Sequence, residues 1–110
     1  MARTLINLPA LSKKGDVIEV RTLNAHPMET GYRPGADGKV LPRDLIRRFT
    51  CTYDDGASRE VVFQAELFSA MAANPYLTFA LLVTGPGTLT LVWEGDNGFA
   101  QTETLPLRVA

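Results

Sequence analysis

The sequence predicts an all-β domain, an immunoglobulin-like β-sandwich of about seven short antiparallel strands with a long loop inserted between early strands. Three observations carry that reading. Apolar and polar residues alternate with a period of two along most of the chain, turn-forming residues separate the runs, and nothing sustains a helical period. A small barrel is the competing closure. With 110 residues, 45% hydrophobic and 21% charged, the chain fits one domain spanning 1–110 around a single core.

The strands follow in order. Thr4 to Leu8 forms a short first strand that Pro9 closes, and Asp16 to Leu23 forms a second. In the second, Ile18, Val20 and Thr22 share one face and Glu19 and Arg21 the other, as in a sheet wet on one side. Ile46 to Tyr53 sets Phe49, Cys51 and Tyr53 opposite Arg48, Thr50 and Thr52. Asp54-Asp55-Gly56 is a turn whose glycine takes positive φ, so Arg59 to Leu67 returns as a hairpin partner with Val61, Phe63, Ala65 and Leu67 on one face. Ser69 to Asn74 has room for about one helical turn before Pro75. Tyr76 to Val83 is nearly continuously apolar and reads as a central strand. Gly85-Pro86-Gly87 has the chemistry of a type II turn, with φ above zero at Gly87, leading through a second hairpin into Thr88 to Glu94. There Leu89, Leu91 and Trp93 alternate with Thr88, Thr90 and Val92, and Gly95-Asp96-Asn97-Gly98 reverses the chain into Phe99 to Val109.

Several function classes are excluded or disfavoured. A net charge of −1, from 11 basic and 12 acidic residues, lacks the positive excess of a nucleic-acid footprint. No apolar run is long enough for a membrane span, and residues 1–16 contain no signal-peptide core. By itself this predicts a soluble cytoplasmic protein, an expectation that fails if the chain is exported already folded onto a partner that carries the signal. One cysteine builds no internal disulfide framework.

Candidate chemical groups are few. Cys51 lies on an apolar strand face, and burial is its expected state, because a reactive thiol wants exposure and nearby positive charge. Alternation sends Arg48 to the opposite face and leaves Arg47 on the Cys51 side. An interchain disulfide or a reactive thiol is the alternative. His26, the single histidine, opens the loop before Pro27 and has no companions at metal-ligand spacing, so a hydrogen bond between imidazole and backbone that anchors the loop is expected. Asp96-Asn97-Gly98 lacks the ligand ladder of a calcium loop, and Gly85-Pro86-Gly87 lacks the lysine of a phosphate loop. Trp93 reads as core. No nucleophile and base pair is evident, and no metal or cofactor is expected.

The segment Asn24 to Leu45, NAHPMETGYRPGADGKVLPRDL, differs in kind. Structureless connections this long are uncommon in compact domains and are often functional. Met28, Tyr32, Val40 and Leu41 are interleaved with Glu29, Arg33, Asp37, Lys39, Arg43 and Asp44, a mixture suited to protein recognition. A solvated loop with a hairpin tip at Asp37-Gly38 is the plainer reading.

The segments His26-Pro27-Met28-Glu29-Thr30-Gly31, Gly38-Lys39-Val40-Leu41-Pro42-Arg43 and Ile46 to Tyr53 (IRRFTCTY) together closely resemble the SoxZ family of bacterial thiosulfate oxidation. Ala73-Asn74-Pro75-Tyr76, Gly87-Thr88-Leu89-Thr90 and Asp96-Asn97-Gly98 extend the likeness over nearly the whole chain. The resemblance implies a non-catalytic, immunoglobulin-like subunit of the SoxYZ carrier. It would form a heterodimer with SoxY, whose C-terminal cysteine arm holds the sulfur substrate and visits other Sox enzymes. It further implies a periplasmic location without a signal peptide of its own, reached by export with SoxY. This chain ends in Leu107-Arg108-Val109-Ala110, without the glycine-flanked terminal cysteine that SoxY carries. The interface candidates are His26, Met28, Glu29, Tyr32, Arg33, Arg43, Arg47 and Arg48, chosen for bulky anchors and forked donors. Two alternatives remain: a self-associating sandwich module outside sulfur metabolism, and an enzyme using Cys51 with His26; a SoxY-binding chain kept in isolation could also pair with itself as a homo-oligomer through the vacant SoxY surface.

Overall fold

The computed structural model describes residues 3–26, 28, 34–40, 43–67 and 75–110. They form β1 (Arg3–Asn7), β2 (Val17–Ala25), β3 (Ile46–Asp54), β4 (Arg59–Glu66), β5 (Tyr76–Leu82), β6 (Gly87–Gly95) and β7 (Ala100–Leu107). Two sheets result, a three-stranded one in the order β1-β2-β5 and a four-stranded one in the order β4-β3-β6-β7, with every strand pairing antiparallel. This is the expected β-sandwich.

Alternation builds the core directly. In β2 the inward row is Ile18, Val20, Thr22 and Asn24, and in β3 it is Phe49, Cys51 and Tyr53, all buried. Leu89, Leu91 and Trp93 of β6 complete the floor. Phe49 sits at the centre, its ring 5.1 Å from Trp93 within the sheet and 6.0 Å from Phe79 across the sandwich. Tilted aromatic contacts of this kind add to burial about 0.5–1.5 kcal/mol per pair. The β3–β4 hairpin turns at Gly56 with φ +89°, as its sequence requires.

Three expectations are corrected. The first concerns β5, which is an edge strand beside β2 and not a central one. Its apolar run divides between an inward row, Phe79 and Leu81, and an outward row in which Tyr76 and Leu82 stay exposed. The second concerns Gly85-Pro86-Gly87, which makes no hairpin, because β5 and β6 belong to opposite sheets. Gly87 does not adopt positive φ. What holds the crossing is Tyr53, whose hydroxyl accepts the N–H groups of Gly85 at 3.1 Å and Thr84 at 3.3 Å and donates to the Gly85 carbonyl. The Thr84 hydroxyl also donates to Asp55 at 2.6 Å. Glycine is needed at 87 for space, since a Cβ there would lie 1.9 Å from the Asp54 carbonyl oxygen.

The third correction is in β4. The register slips between Cys51, which faces Phe63, and Thr52, which faces Val61, so Val62 is an extra residue in a β-bulge. One extra residue reverses the parity of everything before it. Phe63 and Ala65 therefore lean inward with Leu67, whereas Val61 is turned outward and Val62 packs against the core in its place. The helical turn expected at 69–74 lies outside the described residues.

Candidate partner-binding surface

The close of β2 and the return of the insertion meet at one end of the sandwich. His26, directly after β2, is buried, and its ring stacks on Phe99 with centroids 5.0 Å apart and planes 8° from parallel. Its Nδ1 accepts the Met28 N–H at 3.0 Å, leaving Nε2 3.5 Å from the Asp44 carboxylate. Imidazole and backbone do meet here. Met28, with φ +52°, is itself buried in the core, where its sulfur accepts the Ile46 N–H at 3.3 Å.

The insertion's return is held by Asp96, in the short 3-10 turn Asp96–Gly98 between β6 and β7. One carboxylate oxygen accepts a hydrogen bond from Arg43 Nη2 at 2.9 Å, and the other accepts the Leu45 N–H at 3.2 Å and lies 2.9 Å from Arg43 Nε in an ion pair; Arg47 lies 3.6 Å away. The Asn97 amide donates to the Arg43 carbonyl at 3.1 Å, and the Asp96 N–H to the Leu45 carbonyl at 2.8 Å. Burial raises the Asp96 pKa, but the bonds from Arg43 and Leu45 and the charges of Arg43 and Arg47 outweigh it and hold the carboxyl below its usual range. Ala25, His26, Asp44, Asp96 and Phe99 line an open groove of about 680 Å³ here.

The structure divides the interface candidates. His26 and Met28 are buried within this chain, 5% and 4% exposed. Arg43 and Arg47 converge on Asp96 at the rim, while Arg48 faces the outside of the four-stranded sheet between Glu66 and Glu94 on its neighbours. Glu29, Tyr32 and Arg33 lie outside the described residues. Cys51 is wholly buried, and desolvation pushes its thiol pKa up to about 12. Among the described residues no group of three His, Cys, Asp or Glu side chains is placed to hold a metal ion.

Sequence reasoning missed the outer face of the three-stranded sheet. Leu5 (62% exposed), Val17 (70%), Tyr76 (53%) and Leu82 (55%) all project from it. Leu5, Leu23 and Tyr76 stand abreast in one cross-strand row and Val17 and Leu82 in another, with a Glu19–Arg21 ion pair between the rows. The outer face of the other sheet is instead polar, with Thr50 and Thr52 on β3, Thr88 and Thr90 on β6, and Thr102 and Thr104 on β7. The available signal was Val17, in phase with Glu19 and Arg21 and not with Ile18.

Fold and surface define an antiparallel β-sandwich with one largely polar outer face and one outer face that carries exposed apolar side chains. The chain matches the family described as "Sulphur oxidation protein SoxZ" over residues 6–106, and it belongs to that family. This ties it to the Sox system of sulfur oxidation. No curated protein matches the chain. Among solved structures, a superoxide reductase (neelaredoxin) from Ignicoccus hospitalis is similar, with a TM-score of 0.76 and 17% identity over 97% of this chain and 80% of that one. A putative superoxide reductase from Thermotoga maritima follows at 0.75 and 15%, covering 97% and 85%, and the neelaredoxin of Archaeoglobus fulgidus at 0.68 and 18%, covering 96% and 88%. At such identities the likeness is one of fold.

Proposed function

We propose that this chain is a non-catalytic subunit of the SoxYZ carrier, a periplasmic heterodimer in which it binds SoxY and helps present SoxY's sulfur-loaded C-terminal cysteine arm to other Sox enzymes. The observation that carries the reading is the SoxZ family match across residues 6–106, joined to a single thiol sealed in the core. A sulfur carrier needs a nucleophilic, mobile thiolate, and Cys51 is neither mobile nor ionised at neutral pH. The carrying thiol therefore belongs to the partner, and this chain supplies the support.

The test is co-expression of the chain with SoxY, followed by native mass measurement and thiosulfate loading by the Sox enzymes. The expected result is a one-to-one complex in which the sulfur adduct is on SoxY alone. An adduct on this chain, or failure of the two chains to associate, refutes the proposal. A self-associating module is the second reading, favoured by the apolar outer face, and it predicts a stable homo-oligomer that SoxY does not dissolve.

A further inference from the structure

Backbone hydrogen-bonding groups alternate sides along a strand, and two bonds fix their phase in β5. The Pro75 carbonyl accepts the Asn24 N–H at 3.1 Å and the Val83 N–H donates to Asp16 at 2.8 Å, so odd-numbered residues turn their backbone groups toward β2. Tyr76, Thr78, Ala80 and Leu82 consequently turn theirs toward the open edge, where no strand pairs with them among the described residues. An unpaired edge invites another chain, and proteins guard such edges with charge, proline, bulges or shortness.

The other edges carry such guards. In β4 there is a bulge together with Arg59, Glu60 and Glu66; β7 has Glu103 and Pro106; β1 is only five residues long and is held across to β7 by the Thr4 hydroxyl on Glu103. The β5 sequence, YLTFALL, has no charge, no proline and no glycine. Cover is also short beside it. The three-stranded sheet caps a four-stranded one, and the shortfall shows at β4, where Val62, Phe63 and Ala65 are only partly buried although they face inward. Phe63 reaches its cover by stacking on Phe79 of β5 at 4.5 Å.

We infer that the open edge of β5 accepts an extended strand from SoxY, which continues the β1-β2-β5 sheet, covers the β4 flank and extends the apolar outer face. The inference rests on the SoxY reading above. The occupant's chemistry follows from the edge: an uncharged extended segment whose main chain bonds Tyr76, Thr78, Ala80 and Leu82, with apolar side chains beside Tyr76 and Leu82 on the outer face.

Amide hydrogen exchange of the labelled chain, alone and in the co-purified complex, tests this. The expected result is exchange at Tyr76, Thr78, Ala80 and Leu82 slowed at least about tenfold by SoxY, with the β7 edge unaffected. Ala80→Pro removes an edge N–H that no strand pairs with among the described residues and should weaken the complex at least about tenfold. Thermal melting checks that the variant folds. Should it not fold, Thr78→Lys, which places a guard charge on the edge, is expected to weaken binding likewise. A complex that forms without protecting these amides overturns the edge inference and leaves the SoxY reading standing, whereas no complex overturns both. The same protection in a homodimer that SoxY does not displace makes a second copy the occupant and also overturns it.

Discussion

Labelling of Cys51 separates a supporting subunit from a thiol-based one most directly. The perturbation is a thiol-specific disulfide reagent added to the native chain, with the chain in denaturant as reference. Reagent that attacks the native state finds a thiol whose pKa has moved from 9.0 to about 12 through burial, which lowers the thiolate population by roughly a thousandfold. Reagent that waits for opening finds the thiol rarely, because about 5 kcal/mol of stability keeps the open population near one in several thousand. Both routes place native labelling at least about three orders of magnitude below the unfolded reference. Stopped-flow absorbance of the released thiol reads the two rates. Native labelling within about tenfold of the reference refutes the reasoning and revives a reactive Cys51, and Cys51→Ala should leave sulfur loading of the reconstituted carrier unchanged.

Three further outcomes follow from the packing. Met28→Ala removes a buried side chain and should lower the stability of the isolated chain by about 2–5 kcal/mol in a denaturant titration, whereas an anchor displayed to a partner would leave it unchanged. Gly87→Ala forces a Cβ against the Asp54 carbonyl and should reduce Tm sharply, while Gly85→Ala, whose Cβ meets nothing nearer than 3.9 Å, should be tolerated; equal melting of the two would contradict the close approach. Asp96 has a lowered folded-state pKa, so its stabilisation is present above the unfolded carboxyl value near ~3.9 and disappears as pH falls through the lower folded value. Asp96→Asn should flatten that acid limb in urea titrations across pH, and an unchanged acid limb would show that the Arg43 pairing contributes little.

Local signals set the strand spans to within a residue or two, because alternation and turn chemistry act over neighbours in sequence. Asp54-Asp55-Gly56 could be read as a hairpin for that reason, and Trp93 as core. The β5–β6 crossing could not, because Tyr53 holds it from a distance in sequence. Nor could the Val62 bulge, which changes which side of β4 faces inward without altering its composition. The candidate site was legible only as a region. Its candidates were picked out by mixed composition, but the burial of Met28 depends on contact with Ile46, distant in sequence, and Asp96, read merely as a turn residue, proves to be what Arg43 and Arg47 hold.

The amino-acid order alone determined the fold class, the seven strands and membership of the SoxZ family, since periodicity and motif order are properties of the chain itself. Only the tertiary structure decided which strands lie at the edges, which apolar residues stay outside, and which backbone groups of β5 have no strand opposite them among the described residues. The physical reason is that a strand's pattern specifies two faces but not what stands opposite each of them. That is settled when three strands close over four and the cover runs short.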